Sequence, residues 1–209
     1  MILKEDIQYS RVKASHKLML LVFLAVFIWS AIKPFSYITW LPLAVPTLIF
    51  GIPILLTYKK FKFSTFVYLV ILIHAIIVLI GAKYTYTFNP LFDYLMRQFD
   101  LNRNYYDRLG HFAQGFTPAL MAKEILLRKG YLKKSKIFYY IVFSIVLALS
   151  ASFELSEFAV SKLSGMSKDF VLSLQGDKWD TQWDMIMALL GATTALTLFK
   201  KAHDKSMKV

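Results

Sequence analysis

Apolar residues fall in six long stretches along this chain, separated by short segments where lysine, arginine and acidic residues collect. The stretches cover residues 18–32, 35–58, 63–82, 109–127, 137–160 and 182–199. At ~1.5 Å per helical residue, they are of the length that crosses or nearly crosses a hydrocarbon layer about 30 Å thick. A bilayer core offers no water to backbone N–H and C=O groups, so such stretches are predicted to be helices. The expected fold is therefore all-α: one polytopic domain over residues 1–209 with six transmembrane helices. Lys33-Pro34 ends the first stretch with no small-x-small cleavage pattern, and it reads as a retained helix rather than a leader. Pro42, Pro46 and Pro53 predict a broken second span. Between the third and fourth spans, residues 83–108 mix charge with Tyr84, Tyr86, Phe88, Tyr94, Tyr105 and Tyr106, which suits a segment at headgroup level.

Composition strengthens the membrane reading. With 57% hydrophobic and 18% charged residues in 209, the chain is too apolar for a soluble domain of this size. A formal charge of +12 would suggest nucleic acid, but the basic residues lie in clusters between apolar runs. The expected partner is thus the lipid bilayer, with no nucleic acid. Placing both termini in the cytoplasm puts 17 Lys and Arg inside and 8 outside, the asymmetry that sets membrane orientation. Trp29, Trp40, Trp179 and Trp183 then all fall at the outer interface, where indoles settle. Cysteine is absent, which excludes disulfides, thiolate metal sites and cysteine nucleophiles.

The candidate chemistry lies with the acidic residues. Asp107 and His111 are four apart at the outer end of the fourth span, and Glu154 and Glu157 are three apart at the outer end of the fifth. Asp177, Asp180 and Asp184 share one face at the start of the sixth. These groups are predicted to converge at one membrane level, and like charges drawn out of water require a metal, a basic side chain or shared protons. One imidazole among carboxylates fits a divalent metal ion as cofactor, with His111, Glu157, Asp180 and Asp184 as the expected ligands. Alternatively, His111 is a general base oriented by Asp107 or Glu157. A structural reading stands beside both: Arg103, Arg108 or Lys178 pairs the acids and ties helices together. Under it Asp177 belongs to a Gly-Asp turn, Asp180 is a helix cap and His74 packs in the third span. Glu124, about 20 Å inward of His111, is expected to stand apart near Lys123 and Arg128.

Three blocks carry a resemblance. Arg103 to Phe116 with Glu124 downstream, Ser150 to Glu157, and Gly176 to Met185 resemble the YjdF-like family of bacterial inner-membrane proteins. The similarity extends through the helices that follow, roughly the C-terminal half. A looser similarity, to VanZ-like membrane proteins, rests on an Asp/His helix start followed by acidic helix ends. The resemblance implies a multi-pass protein of the bacterial cytoplasmic (inner) membrane and assigns no activity. The residues add three expectations: a metal- or acid/base-dependent enzyme acting on lipid or lipid-linked headgroups, an ion-coupled transporter using the broken second span, or a membrane scaffold. In the first, Asp107, His111, Glu154, Glu157, Asp177, Asp180 and Asp184 form the catalytic set.

Overall fold

The computed structural model describes residues 12–164 and 175–207. The basic positions Lys4 and Arg11, and the loop residues Lys168 and Asp169, lie outside the described residues. Among the described residues the chain is entirely helical apart from turns. The helices are α1 (Ala14–Ala31), α2 (Tyr37–Thr57), α3 (Thr65–Tyr84), α4 (Pro90–Gln98), α5 (Tyr106–Arg128), α6 (Lys136–Ser164), α7 (Asp180–Thr197) and α8 (Lys200–Ser206).

Local chemistry sets several boundaries. Ser64 caps α3 by accepting from the Val67 N–H, which supplies a partner to one of the four donors a helix start leaves unpaired. Asn89 does the same for α4 through Phe92, with Pro90 at the first helical position, where its missing N–H costs nothing. At the other end of α3, Thr85 and Tyr86 take positive φ angles of 56° and 58° and turn the chain out of the helix.

Four helices, α1, α2, α3 and α6, are long and apolar enough to cross a membrane, and a fifth span results if α7 and α8, bent by 61°, count as one. The expected fourth span, α5, is 23 residues long but too polar to span on composition. Its polar side chains are instead buried against α3, α6 and α7, so that protein rather than lipid surrounds them. Helix composition thus supports four or five spans, and does not by itself fix six or orient the termini. A second difference concerns α2, which runs unbroken through Pro42, Pro46 and Pro53.

The main core lies between α3, α5, α6 and α7, where Val67, Leu120, Phe138, Val142, Val146 and Ala192 are closed to solvent. α5 and α7 approach most closely at Gly115 and Gly191. A methyl group on Gly115 would overlap the Ala188 carbonyl, and one on Gly191 would overlap the Phe112 carbonyl oxygen. Small residues at such a crossing let two backbones touch and hold the helices in one register. A smaller cluster of Ala44, Leu79 and Ala82, backed by Phe27 and Trp40, joins α1 and α2 to α3. Lys83 Nζ donates to the Ile32 carbonyl (2.6 Å) and Phe35 N–H to the Lys83 carbonyl (2.9 Å), which ties the α1–α2 turn to the end of α3. The same end of the bundle carries the starts of α5 and α7, and all four tryptophans.

Candidate functional site

The site begins at a strap. Between α4 and α5, the Asn104 side chain donates to the Asn89 carbonyl (3.1 Å) and to Asp93 Oδ1 (2.7 Å). The Asn104 backbone exchanges two hydrogen bonds with the Gln175 side chain, at 2.8 and 3.0 Å. This fixes the segment before α5 against the segment before α7 and aims both helix starts at the same interior. From there, helical spacing places Asp107 and His111 on one face of α5, with Arg103, just before the helix, 3.9 Å from Asp107 and Arg108 turned toward α7.

The two arginines take three further aspartates. Arg103 lies 2.6 Å from Asp180 and 3.5 Å from Asp177. Arg108 lies 2.7 Å from Asp180 and 3.3 Å from Asp177, and also pairs with Asp184. Asp180 therefore stands between two guanidiniums, an arrangement whose planar donors match carboxylate geometry. Asp177 additionally accepts from the Trp179 N–H at 2.9 Å, the turn role considered from sequence. For Asp177 and Asp180 the contacts are those of a helix-joining clamp.

His111 is only 4% exposed and gathers the remaining acids. Its Nε2 lies 3.6 Å from Asp107 Oδ1 and 3.7 Å from Asp184 Oδ1, whereas Nδ1 lies 3.6 Å from Glu154 Oε1 on α6. One face of the ring thus looks onto two carboxylates and the other onto a third. Ligand atoms of Asp107, His111 and Asp184 all lie within 4.8 Å of one another. Around a bound ion with ~2.1 Å ligand bonds, neighbouring ligands stand about 3–3.5 Å apart, so modest side-chain rotation closes the set. Glu154 is placed to orient the imidazole from behind, as a carboxylate commonly does for a metal-bound histidine. Glu157, on the same face of α6, lies within electrostatic reach of Asp107, His111 and Asp184.

Charge balance sharpens the picture. Six carboxylates, Asp107, Glu154, Glu157, Asp177, Asp180 and Asp184, face two guanidiniums and one imidazole. Most of these groups are buried. Acids in such excess away from water require further positive charge, as a cation or as bound protons. Tyr86 closes the side toward α3, its ring filling the space beside Gly81 and Gly110. Burial, reinforced by Tyr106, Asp107 and Glu157, pushes the Tyr86 phenol well above its ordinary value, so it is a neutral donor at physiological pH. Of the residues singled out from sequence, the structure draws Asp107, His111, Glu154, Glu157 and Asp184 together. The arginines hold Asp177 and Asp180, Arg108 also pairs with Asp184, and Arg103 lies 3.9 Å from Asp107.

A family model described as "Predicted membrane protein (DUF2238)" matches residues 15–205. The chain belongs to this family. A relative within reach of it, "Inner membrane protein YjdF" of Escherichia coli (strain K12), is 37% identical over 183 residues, covering 88% of this chain and 88% of that protein. The DUF2238 match spans α1 to α8 and so reaches beyond the C-terminal half from which the resemblance was first drawn. It gives no support to the looser VanZ-like similarity. No solved structure matches the chain. With this family and four or five apolar spanning helices, the chain is an integral membrane protein.

Sequence reasoning placed Glu124 beside Arg128, as the structure does, but missed Ser64 and His203 as its partners. Glu124, fully buried, accepts from the Ser64 N–H (2.7 Å) and hydroxyl (2.8 Å), pairs with Arg128, and meets His203 Nε2 at 3.1 Å. Beside it Asp204 takes Lys123 (2.8 Å) and Lys134 (3.0 Å). His203 and Asp204 sit in a segment that reads as a basic tail. Only the bend that folds α8 back toward α3 reveals their role.

Proposed function

We propose that this protein is a multi-pass enzyme of the bacterial inner membrane that holds a divalent cation between Asp107, His111 and Asp184. It uses that ion on lipid or lipid-linked headgroups at the outer leaflet. The observation that carries this reading is the two-sided setting of His111: Nε2 toward Asp107 and Asp184, Nδ1 toward Glu154. A nitrogen with carboxylate oxygens favours a borderline ion such as Mn²⁺ or Zn²⁺ over a purely oxygen-seeking one. Held by these three residues, such an ion would supply Lewis-acid polarisation to a headgroup oxygen or a water. Glu157, which no arginine holds among the contacts described, is the carboxylate left to accept or return a proton. Six spans with both termini inside place this end of the bundle outward, in keeping with the basic clusters and the four tryptophans. The inner-membrane placement follows the relative from Escherichia coli.

The scaffold reading draws on the two arginines, which pair with four of the six acids, Asp107, Asp177, Asp180 and Asp184. A transport reading loses the feature that suggested it, because α2 is continuous and no residue of the acidic cluster belongs to it. One experiment separates enzyme from scaffold. Purified protein in nanodiscs of bacterial polar lipids is incubated with Mn²⁺ or Zn²⁺, and lipid species are followed by mass spectrometry. Headgroup turnover that stops with chelator and in His111→Ala supports the enzyme. Unchanged lipids under every condition, with a folded and ion-loaded protein, leave the scaffold.

A further inference from the structure

One helical turn inward of the His111 and Glu154 pair lies a second set of polar groups that the ion site does not use. α5 and α6 run antiparallel, and His111 meets Glu154 across them at 3.6 Å. Three residues further along α5 is Gln114, and four back along α6 is Ser150, so both stand at the same inner level. Ser150 is fully buried, and among the described residues its hydroxyl has no hydrogen-bond partner; neither has Gln114 Oε1. Thr117, one turn deeper and 4% exposed, has an unpartnered hydroxyl as well. Pro118 has no N–H to give the Gln114 carbonyl, which frees a backbone acceptor at this level.

Most helical serine and threonine hydroxyls with a described hydrogen bond turn back onto their own helix. The helical hydroxyls of Ser30, Thr47, Ser152, Ser156, Thr193 and Thr194 each donate to a carbonyl three or four residues back. Ser152 and Ser156, which follow Ser150 on α6, do this, while Ser150 does not. A buried hydroxyl left without a partner destabilises the empty protein, and a native chain that keeps one at a ligand site gains recognition for it. The groups on offer are neutral: two hydroxyls, one amide and one free carbonyl, with Glu154 Oε1 and His111 Nδ1 above them. They suit a neutral partner that both donates and accepts, rather than a second charged group.

We propose that Ser150 and Gln114 line a subsite for the hydroxyl groups of a polyol headgroup, glycerol being the simplest, below the ion-binding residues. This rests on the reading that the site takes headgroups, but not on the presence of the ion. Ser150 and Gln114 grip the hydroxyls directly and set which headgroup enters; the chemistry stays with the residues above.

The test is lipid selectivity of the purified full chain. Protein is equilibrated in nanodiscs of equal phosphatidylglycerol and phosphatidylethanolamine, and the lipids that stay bound are counted by native mass spectrometry, with and without chelator. Wild-type protein is expected to retain phosphatidylglycerol preferentially in both conditions. Ser150→Ala and Gln114→Leu are expected to lose that preference by roughly tenfold each, the effect of one hydrogen-bonding partner. Free glycerol in the buffer identifies the source: competition assigns the subsite to polyols from solution as well, and its absence assigns it to lipid-borne ones. Ser150→Ala is also expected to melt at a higher temperature than wild type in lipid-free detergent, because an unpaired hydroxyl has been removed. Equal retention of the two lipids by wild type, preference that survives both substitutions, or a lower melting temperature for Ser150→Ala would overturn the proposal. Selectivity that persists when no ion binds would leave it standing while the ion reading fails.

Discussion

The two ends of the α5 helix hold buried charge in opposite ways. Where α5 ends, Glu124 is matched by Arg128, His203 and the Ser64 cap, and Asp204 by Lys123 and Lys134. Acids and bases close on each other there, and α8 is fastened to α3 and α5 as a result. Where α5 begins, six carboxylates outnumber two guanidiniums and an imidazole, and the carboxylates nearest His111 stand at 3.6–3.7 Å, beyond hydrogen-bond length. A balanced and fully paired cluster accounts for itself as structure. An unbalanced and loosely spaced one asks for a partner that carries positive charge. The same helix therefore supplies an anchor at one end and a candidate site at the other.

The comparison breaks first at the crossing that sets both ends. Gly115→Ala would drive a methyl group into the Ala188 carbonyl, and helix backbone cannot yield as a flexible side chain can. A loss of more than about 4 kcal/mol, or failure to fold, is expected, read as loss of the monodisperse peak in detergent. A variant that behaves as wild type would show that α5 and α7 do not meet there. Next, Glu124→Ala at the anchor leaves Arg128 and His203 facing a buried gap. It should cost about 3–5 kcal/mol in thermal unfolding, with no change in ion binding at the other end. Coupled loss of ion binding would erase the distinction between the two ends.

The smallest effect belongs to Asp204. Burial opposes its ionisation, but Lys123 and Lys134 outweigh it and hold the carboxyl below its ordinary value. A depressed carboxylate adds stability that is present above its unfolded pKa and is lost as pH falls through the folded one. Because Asp204 is partly exposed, the contribution is screened to about 0.5 kcal/mol. Melting curves of wild type and Asp204→Asn are expected to differ slightly at neutral pH and to converge under acid. A difference that grows on acidification would refute the assignment.

Much of this was legible from residue order alone. The apolar stretches predicted the helices closely, since in lipid an apolar run has no other way to satisfy its backbone. The convergence of Asp107, His111, Glu154 and Asp184 followed from their placing at helix ends on one side. Which acids the arginines would take was not legible: Arg103 and Arg108 lie more than seventy positions from Asp180, and only the α5–α7 crossing decides the pairing. The three prolines of α2 misled because a proline removes one backbone bond without ending a helix whose remaining bonds hold, and α2 continues through all three. His203 and Glu124 are 79 positions apart, and nothing local in a basic tail marks one histidine as a buried partner.

The central claim is that the end where α5 begins carries a divalent cation on Asp107, His111 and Asp184. Elemental analysis of purified wild-type protein beside matched His111→Ala and Asp107→Asn samples tests it most directly, after exposure to Mn²⁺ or Zn²⁺ and removal of excess ion. The account predicts about one equivalent of ion per wild-type chain and none in either variant, with all three samples folded. Wild-type protein without bound ion, or equal ion content in all three, would contradict it.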